Sequence, residues 1–209
     1  MTMIPTVLEQ SKYGERAFDL YSRMLEDRIV FVNGQIEEHM AQIVIASLLF
    51  LDMKSPGSPI QMFIQSPGGS VDAGHAIYDT MCYIQSPTIQ IGMGCVASMA
   101  QFLLTAKTGR EGQRRVALPN ARIMMHQPST QVGNGQATDI AITAKQIVSM
   151  KEKFIKLFSE WTTQSEEKIR KDIERDCWLT SQEALKYGMI DAVVKSKDDY
   201  IKDPSMNLS

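Results

Sequence analysis

The chain has 209 residues, of which 44% are hydrophobic and 22% are charged, a composition typical of one globular α/β domain. Its net charge of −2 argues against a protein that binds nucleic acid or anionic lipid, and no run is long and apolar enough to span a membrane. The three cysteines lack metal-ligand spacing, so we expect free thiols, no metal and a cytoplasmic location.

Apolar periodicity and turn residues divide the chain into alternating strands and helices. An amphipathic helix is predicted over residues 14–26, and a helix buried on nearly all sides over 37–52. The predicted strands cover residues 29–32, 60–64, 88–91, 115–118 and 122–125. Further helices are predicted over residues 71–83, 98–104, 137–161 and 166–175, and a last helix and strand lie within 181–194. This alternation predicts βα units and a largely parallel sheet.

Ser98 lies where a strand-like run gives way to glycines and then to a helical pattern. We therefore place it in the first turn of a helix, where free amides and the positive end of the helix dipole stabilise an anion. A serine alkoxide and the oxyanion of a tetrahedral intermediate would both be stabilised there. A serine among small residues also suits a tight helix start, so this motif alone does not establish catalysis.

A nucleophilic serine needs a base, and the chain has three histidines. His39 lies among glutamates on a predicted solvated face, and His75 is expected to face packing or solvent. His126 ends an apolar strand, and the sites of α/β proteins form at strand ends. Asp176 precedes an apolar segment, from which a carboxylate could orient an imidazole, although most Asp residues in such charged runs are surface charges.

Two adjacent glycines, Gly68 and Gly69, separate a predicted strand from a predicted helix. Glycines in such a turn adopt positive φ and leave backbone amides open. The amide of Gly69 or Gly68, together with that of Met99, would form a two-donor oxyanion hole. An ordinary glycine turn is the alternative.

Taken together, these residues resemble the Clp protease family over nearly the whole chain. The matching segments are 16–28 (RAFDLYSRMLEDR), 66–70 (SPGGS), 73–80 (AGHAIYDT), 97–99 (ASM), 102–106 (FLLTA), 118–120 (LPN), 126–128 (HQP), 135–139 (GQATD), 174–176 (ERD) and 187–188 (YG) with Asp191. So many motifs in the same order exclude a chance similarity.

The resemblance implies an α/β fold of the crotonase type, a spiral of ββα units with a long handle helix. It implies two stacked seven-membered rings around a closed chamber. Within the chain it implies an N-terminal axial segment at 1–15, a head domain at 16–128 and 165–196, a handle region at 129–164 and a flexible tail at 197–209.

The resemblance also implies an ATP-dependent serine endopeptidase that degrades unfolded proteins and peptides and has no cofactor of its own. Ser98 would be the nucleophile, His126 the general base and acid, and Asp176 the orienting carboxylate. The oxyanion would be bound by the amides of Gly69 (or Gly68) and Met99. Polypeptide substrates would lie as extended strands beside Val71, Gln127 and Pro128.

In this family a separate AAA+ chaperone such as ClpX, ClpA or ClpC hydrolyses the ATP and docks on an apolar cleft. The matching cleft positions are Gln61, Phe63, Ile91, Met93, Val116 and Met189. Gln61 and Val116 depart from the aromatic residues usual there, so the expected docking residues are Phe63, Ile91, Met93 and Met189. The chain departs from the family pattern in a longer loop at 107–115, an extra residue in 129–135 and a histidine at position 75. These departures leave open whether the rings contain this chain alone or also a sister subunit.

Two other functions stay open. One is a non-proteolytic structural subunit of a mixed Clp ring, which loss of the serine, histidine or aspartate would mark; none is lost here. The other is a crotonase-type acyl-CoA hydratase or isomerase, whose paired amides would bind a thioester enolate without a catalytic serine. Labelling by a serine-reactive fluorophosphonate distinguishes the peptidase from both.

Overall fold

Strands and helices alternate along the chain, as the sequence pattern predicts. The computed structural model describes residues 4–11, 14–129, 135–197 and 199. Within these residues the strands are β1 (Thr6–Ser11), β2 (Gly14–Asp19), β3 (Ile29–Asn33), β4 (Ile60–Ser66), β5 (Thr88–Ala97), β6 (Arg114–Ala117), β7 (Arg122–Met125), β8 (Cys177–Thr180) and β9 (Ala192–Val193). The helices are α1 (Leu20–Glu26), α2 (Glu38–Lys54), α3 (Val71–Tyr83), α4 (Met99–Thr105), α5 (Ala137–Trp161), α6 (Glu166–Asp172) and α7 (Ser181–Tyr187).

One sheet organises the fold, and its neighbouring strands mostly run parallel. Five of its strands lie side by side in the order β3-β4-β5-β6-β9, and each runs parallel to its neighbours. β7 pairs in parallel with the end of β5, and β8 pairs antiparallel with β7. The predicted α/β class with a largely parallel sheet is confirmed. β8 was not predicted, because four residues are too short a run for their alternating burial to stand out.

The core lies between the sheet and the helices that cover it. Buried residues alternate along β4, where Ile60 and Ile64 have no exposed surface, as the two-residue period of a strand requires. Every residue of α4 is buried, so this helix runs through the interior. Phe102 of α4 packs against Phe154 and Trp161 of α5, with ring centroids 5.1 and 5.0 Å apart. These contacts hold the C-terminal half of α5 on the core.

The helix predicted over residues 14–26 is wrong in its N-terminal part. Gly14–Asp19 forms β2 and pairs antiparallel with β1, and only the remainder is helical. The helix begins there because the Asp19 carboxylate accepts a hydrogen bond from the Ser22 amide at 3.0 Å, which caps the first turn. The domain boundary predicted after residue 15 falls inside this hairpin.

Two helices present apolar faces to the surface of the chain. α2 was predicted to be buried on nearly all sides, but only one of its faces lies in the core. Its exposed apolar residues are Ile43, Phe50 and Met53, which are 55%, 49% and 82% accessible. The N-terminal half of α5 exposes Ile140, Ile142 and Val148 in the same way.

The predicted handle region contains α5, with its C-terminal half packed on the core and its N-terminal half exposed. Most of the segment 129–135, in which the sequence predicts one extra residue, lies outside the described residues. The same holds for most of the predicted tail at 197–209. In the described ranges, no helix combines the length and the apolar character needed to cross a membrane.

Candidate active site

Ser98 forms the junction between β5 and α4. The strand continues through the glycines to Ala97 and the helix starts at Met99, so Ser98 precedes the helical turn in which the sequence placed it. Its φ of +56° lies in the left-handed region, and its amide donates to the Met124 carbonyl oxygen at 2.8 Å. A non-glycine residue in this region is strained, and such strain concentrates at functional sites.

The imidazole of His126 lies beside the Ser98 hydroxyl, with Nε2 2.7 Å from Oγ. The sheet produces this contact. β5 and β7 run parallel with Ala97 opposite Met124, so the residues that follow their carboxyl ends meet. The side chain of His126 is 27% exposed, which leaves the imidazole accessible from the solvent side. The pair can exchange a proton directly.

The other two histidines lie elsewhere, as predicted. His39 is exposed on α2. His75 packs edge-on against the rings of Phe102 and Phe154 at centroid distances of 5.4 and 5.6 Å. Its Nε2 is buried and has no hydrogen-bond partner in the described part of the chain. Burial, and then the positive charge of Lys153, hold the pKa of His75 below its ordinary value.

Asp176 lies on the far side of the His126 ring. Its Oδ1 is 3.6 Å from Nδ1, longer than a hydrogen bond, and its side chain is 62% exposed. The segment that leads to it is tied to the end of β7 by Gln127, whose amide donates to the Ile173 carbonyl at 2.8 Å and whose Nε2 donates to the Glu174 carbonyl at 3.3 Å. The structure therefore brings Asp176 to ion-pair distance from the imidazole.

The long helix also contacts this segment. Lys151 Nζ of α5 lies 3.1 Å from the Glu174 carboxylate, and this hydrogen bond lowers the pKa of Glu174. The Glu174 side chain is largely exposed to solvent, so this ion pair by itself stabilises the fold little. It nevertheless connects α5 to the residue two positions before Asp176.

The glycine turn after β4 lies directly against Ser98. A Cβ on Gly68 would be 2.6 Å from the Ser98 Cβ and 2.9 Å from the Met99 nitrogen. The Gly68 amide donates to Ser66 Oγ at 3.0 Å, so it is engaged and does not fit the predicted role of oxyanion donor. Among the described residues the Gly69 and Met99 amides have no acceptor. The structure thus favours Gly69 over Gly68 as the partner of Met99.

A cavity of about 220 Å³ opens beside Ser98 and His126, and we call it the Ser98 pocket. Its other lining residues are Gly69, Val71, Met99, Gln101, Phe102, Gln127, Pro128, Ser129, Phe154 and Phe158. The predicted substrate-binding residues Val71, Gln127 and Pro128 are therefore brought together. Gln101 and the two α5 phenylalanines were not predicted here. Only the docking of α5 on α4 turns the apolar stripe of α5 toward Ser98.

The described residues contain no group of three or more His, Cys, Asp or Glu side chains able to hold a metal ion. The three cysteines are free thiols.

Comparison with known families agrees with this architecture. The model of the Clp protease family matches residues 12–197, nearly the whole chain. The chain belongs to the Clp protease family. It is thus a ClpP-like peptidase, and its mostly parallel α/β fold is the one that this family shares with crotonases.

The four predicted chaperone-docking residues of this Clp protease chain differ in exposure. Ile91 and Met189 are 2% and 1% exposed, so, contrary to the prediction, neither side chain is available to a partner. Ile91 packs against Val116 in a small core of its own, and Met189 belongs to the main core. Phe63 and Met93 are partly exposed and stay candidates. Sequence matching alone could not distinguish the buried Ile91 and Met189 from the partly exposed Phe63 and Met93, because all four residues are apolar.

Proposed function

We propose that this member of the Clp protease family is a serine endopeptidase that works through an acyl-enzyme. Ser98 is the nucleophile, His126 the general base and acid, and Asp176 the carboxylate that orients the imidazole. The observation that carries the proposal is the 2.7 Å contact between His126 Nε2 and Ser98 Oγ at a strained junction of strand and helix.

In the acylation step, Ser98 Oγ attacks the carbonyl carbon of the scissile peptide bond while its proton passes to His126 Nε2. The carbonyl oxygen becomes an oxyanion and accepts hydrogen bonds from the Gly69 and Met99 amides. When the intermediate collapses, the carbon–nitrogen bond breaks and His126 donates its proton to the leaving amine. The acyl group remains as an ester on Ser98.

In the deacylation step, water attacks this ester and His126 accepts the proton of the water. The second tetrahedral intermediate then releases the carboxylic acid, and the proton returns from His126 to Ser98 Oγ. Through both steps the Asp176 carboxylate favours the tautomer with a proton on Nδ1 and stabilises the imidazolium. A crotonase-type enolate mechanism would not require a serine hydroxyl in contact with a histidine.

The substrate is proposed to be an extended polypeptide that lies between the turn after Gly69 and the segment Gln127–Pro128. Main-chain hydrogen bonds would provide affinity for many sequences. The side chain before the cleaved bond would enter the Ser98 pocket, where Val71, Phe154 and Phe158 favour a bulky apolar residue.

The active form is proposed to be a ring assembly served by a separate AAA+ ATPase. The apolar faces on α2 and on the N-terminal half of α5 support self-association, since contiguous apolar surface marks interfaces. The sequence has no Gly-rich phosphate loop with a lysine, so ATP hydrolysis is assigned to the partner. Phe63 and Met93 are the proposed docking residues. Heptameric stoichiometry, a sister subunit and a cytoplasmic location stay predictions.

Fluorophosphonate labelling of the purified chain, followed by peptide mass spectrometry, tests the proposal. We expect one modified residue, Ser98, and no modification in Ser98→Ala protein of the same oligomeric size. Absence of labelling in correctly assembled protein would favour an inactive structural subunit or a crotonase-type enzyme. Hydration or double-bond isomerisation of an enoyl-CoA without labelling would favour the latter.

A further inference from the structure

The wall of the Ser98 pocket contains one buried amide side chain, that of Gln101. This residue lies one helical turn after Ser98 on α4 and is 1% exposed. Its Nε2 is 2.8 Å from the hydroxyl oxygen of Thr105, and the described residues provide no other hydrogen bond to the side chain. A primary amide has one acceptor oxygen and two donor hydrogens. Within the described residues, the contact with Thr105 therefore uses only part of this hydrogen-bonding capacity.

The pocket that Gln101 lines combines polar groups, among them Ser98 and His126, with apolar side chains. Val71, Phe102 and Phe154 are apolar lining residues, and the ring centroids of Phe102 and Phe154 lie 5.1 Å apart. Burying a polar group away from water is unfavourable unless a partner satisfies it. A substrate side chain that reaches the pocket wall can be that partner, and a purely apolar side chain cannot.

The size of the pocket limits what can enter. Its volume of about 220 Å³ is below the roughly 300–1,000 Å³ of sites for drug-sized ligands. We therefore assign it one side chain of the substrate rather than a longer segment. Because the pocket adjoins Ser98 and His126, that side chain belongs to the residue before the cleaved bond.

We propose that Gln101 is a specificity-determining residue of the peptidase site, selecting an apolar side chain with a hydrogen-bonding tip before the cleaved bond. Tyrosine meets this description: its ring packs against the aromatic wall and its hydroxyl hydrogen-bonds the Gln101 amide. Phenylalanine has the same shape and leaves the amide unsatisfied. A site built to hydrogen-bond a hydroxyl discriminates strongly against the analogue that lacks it. This inference rests on the proposed function, since it assigns a residue of the same site.

Two short fluorogenic peptides that differ only in Tyr or Phe before the cleaved bond test the assignment. We expect kcat/KM to be at least about tenfold higher for the Tyr peptide. In Gln101→Met protein, which keeps the length of the side chain and removes the amide, the ratio should fall to near one through loss on the Tyr peptide. Gln42→Met, at an exposed position of α2, is the matched control and should keep the ratio.

A wild-type ratio near one would overturn the assignment without the need for any variant. Equal losses on both peptides in Gln101→Met would overturn it too, since they would indicate a structural role. To separate this inference from the proposed chemistry, peptides that end in Tyr or Phe are compared by equilibrium binding to Ser98→Ala protein. A Tyr preference that Gln101→Met removes there supports Gln101 whatever the chemistry, and equal binding of both peptides overturns it. Loss of Ser98 labelling alone contradicts only the proposed function.

Discussion

Gly68 lies against Ser98 so closely that a methyl group on its Cα would be 2.6 Å from the serine Cβ. The same methyl group would be 2.7 Å from the Ala97 carbonyl oxygen. These are distances that real Cβ atoms do not adopt, so one of the two backbones would have to move. The turn after β4 thus sets the position of Ser98 at the end of β5.

Gly68→Ala should therefore impair both stability and acylation, and Gly57→Ala is its matched control. Both glycines have positive φ, +93° and +79°, but a Cβ on Gly57 meets nothing within 4 Å. Backbone strain should cost each variant about 1–2 kcal/mol of folding free energy, and the clash with Ser98 and Ala97 should add to that cost in Gly68→Ala. Only Gly68→Ala should also slow fluorophosphonate labelling of Ser98, by about 10²-fold, because the nucleophile is displaced. Equal labelling rates in the two variants would contradict the positioning role.

Ser98 and His126 should behave as one catalytic unit. Ser98→Ala and His126→Ala are each expected to lower kcat for a small peptide by about 10³-fold or more, because neither residue works without the other. The double variant should be no worse than either single variant. Steady-state kinetics with thermal unfolding curves provide the measurement. Additive losses would show that the two side chains act independently despite their contact.

Asp176→Asn should reduce turnover without unfolding the protein. The carboxylate is largely exposed and 3.6 Å from His126 Nδ1, so its removal leaves no buried charge unpaired. An amide can stabilise the wrong imidazole tautomer, and we expect kcat to fall by about 10²–10⁴-fold. Glu166→Gln, at an exposed position of α6, serves as the control for removal of a surface carboxylate. A variant with a normal pH–rate profile would exclude Asp176 from the mechanism.

His75 should make the protein less stable in acid. Its pKa is lowered by burial first and by Lys153 second, with Asp79 and Asp72 acting in the opposite direction. The unfolded chain therefore binds the proton more tightly than the folded chain. The free energy of unfolding should decrease as the pH falls through the ordinary value of 6.5 toward the lower folded-state pKa, and then level off.

The test compares urea unfolding of wild type and His75→Phe between pH 7.5 and 5. Phenylalanine keeps an aromatic ring against Phe102 and Phe154 and cannot be protonated. The decrease in the free energy of unfolding between pH 7.5 and 5 should be smaller in this variant than in wild type. His39→Phe, at an exposed position, is the control for replacing a histidine with phenylalanine elsewhere in the chain. Parallel pH curves for wild type and His75→Phe would remove His75 as the cause.

Local pattern predicted the secondary structure well wherever a helix or strand was long and bounded by turn residues. The strand period around Ile64 and the apolar stripe of α5 are examples. The strand β2 (Gly14–Asp19) was predicted to be helical because an amphipathic helix pattern continues through it. Pairing with β1 in a hairpin overrides that local preference. The exposure of Ile91 and Met189 could not be predicted either, since apolar residues suit a cleft and a core equally.

The sequence by itself determined the family and the α/β class and predicted Ser98, His126 and Asp176 as site residues, because ordered motifs and a serine at a strand–helix junction are local features of the chain. Tertiary structure decided the rest. Only the parallel pairing of β5 and β7 brings His126 to Ser98 across 28 residues. Only the close approach of two backbones shows why position 68 takes a glycine. Only the folded turn shows that the Gly68 amide is engaged while the Gly69 amide has no acceptor among the described residues. Only the packing of α5 on α4 makes Gln101 part of a pocket, because that pocket has walls from segments distant in the chain.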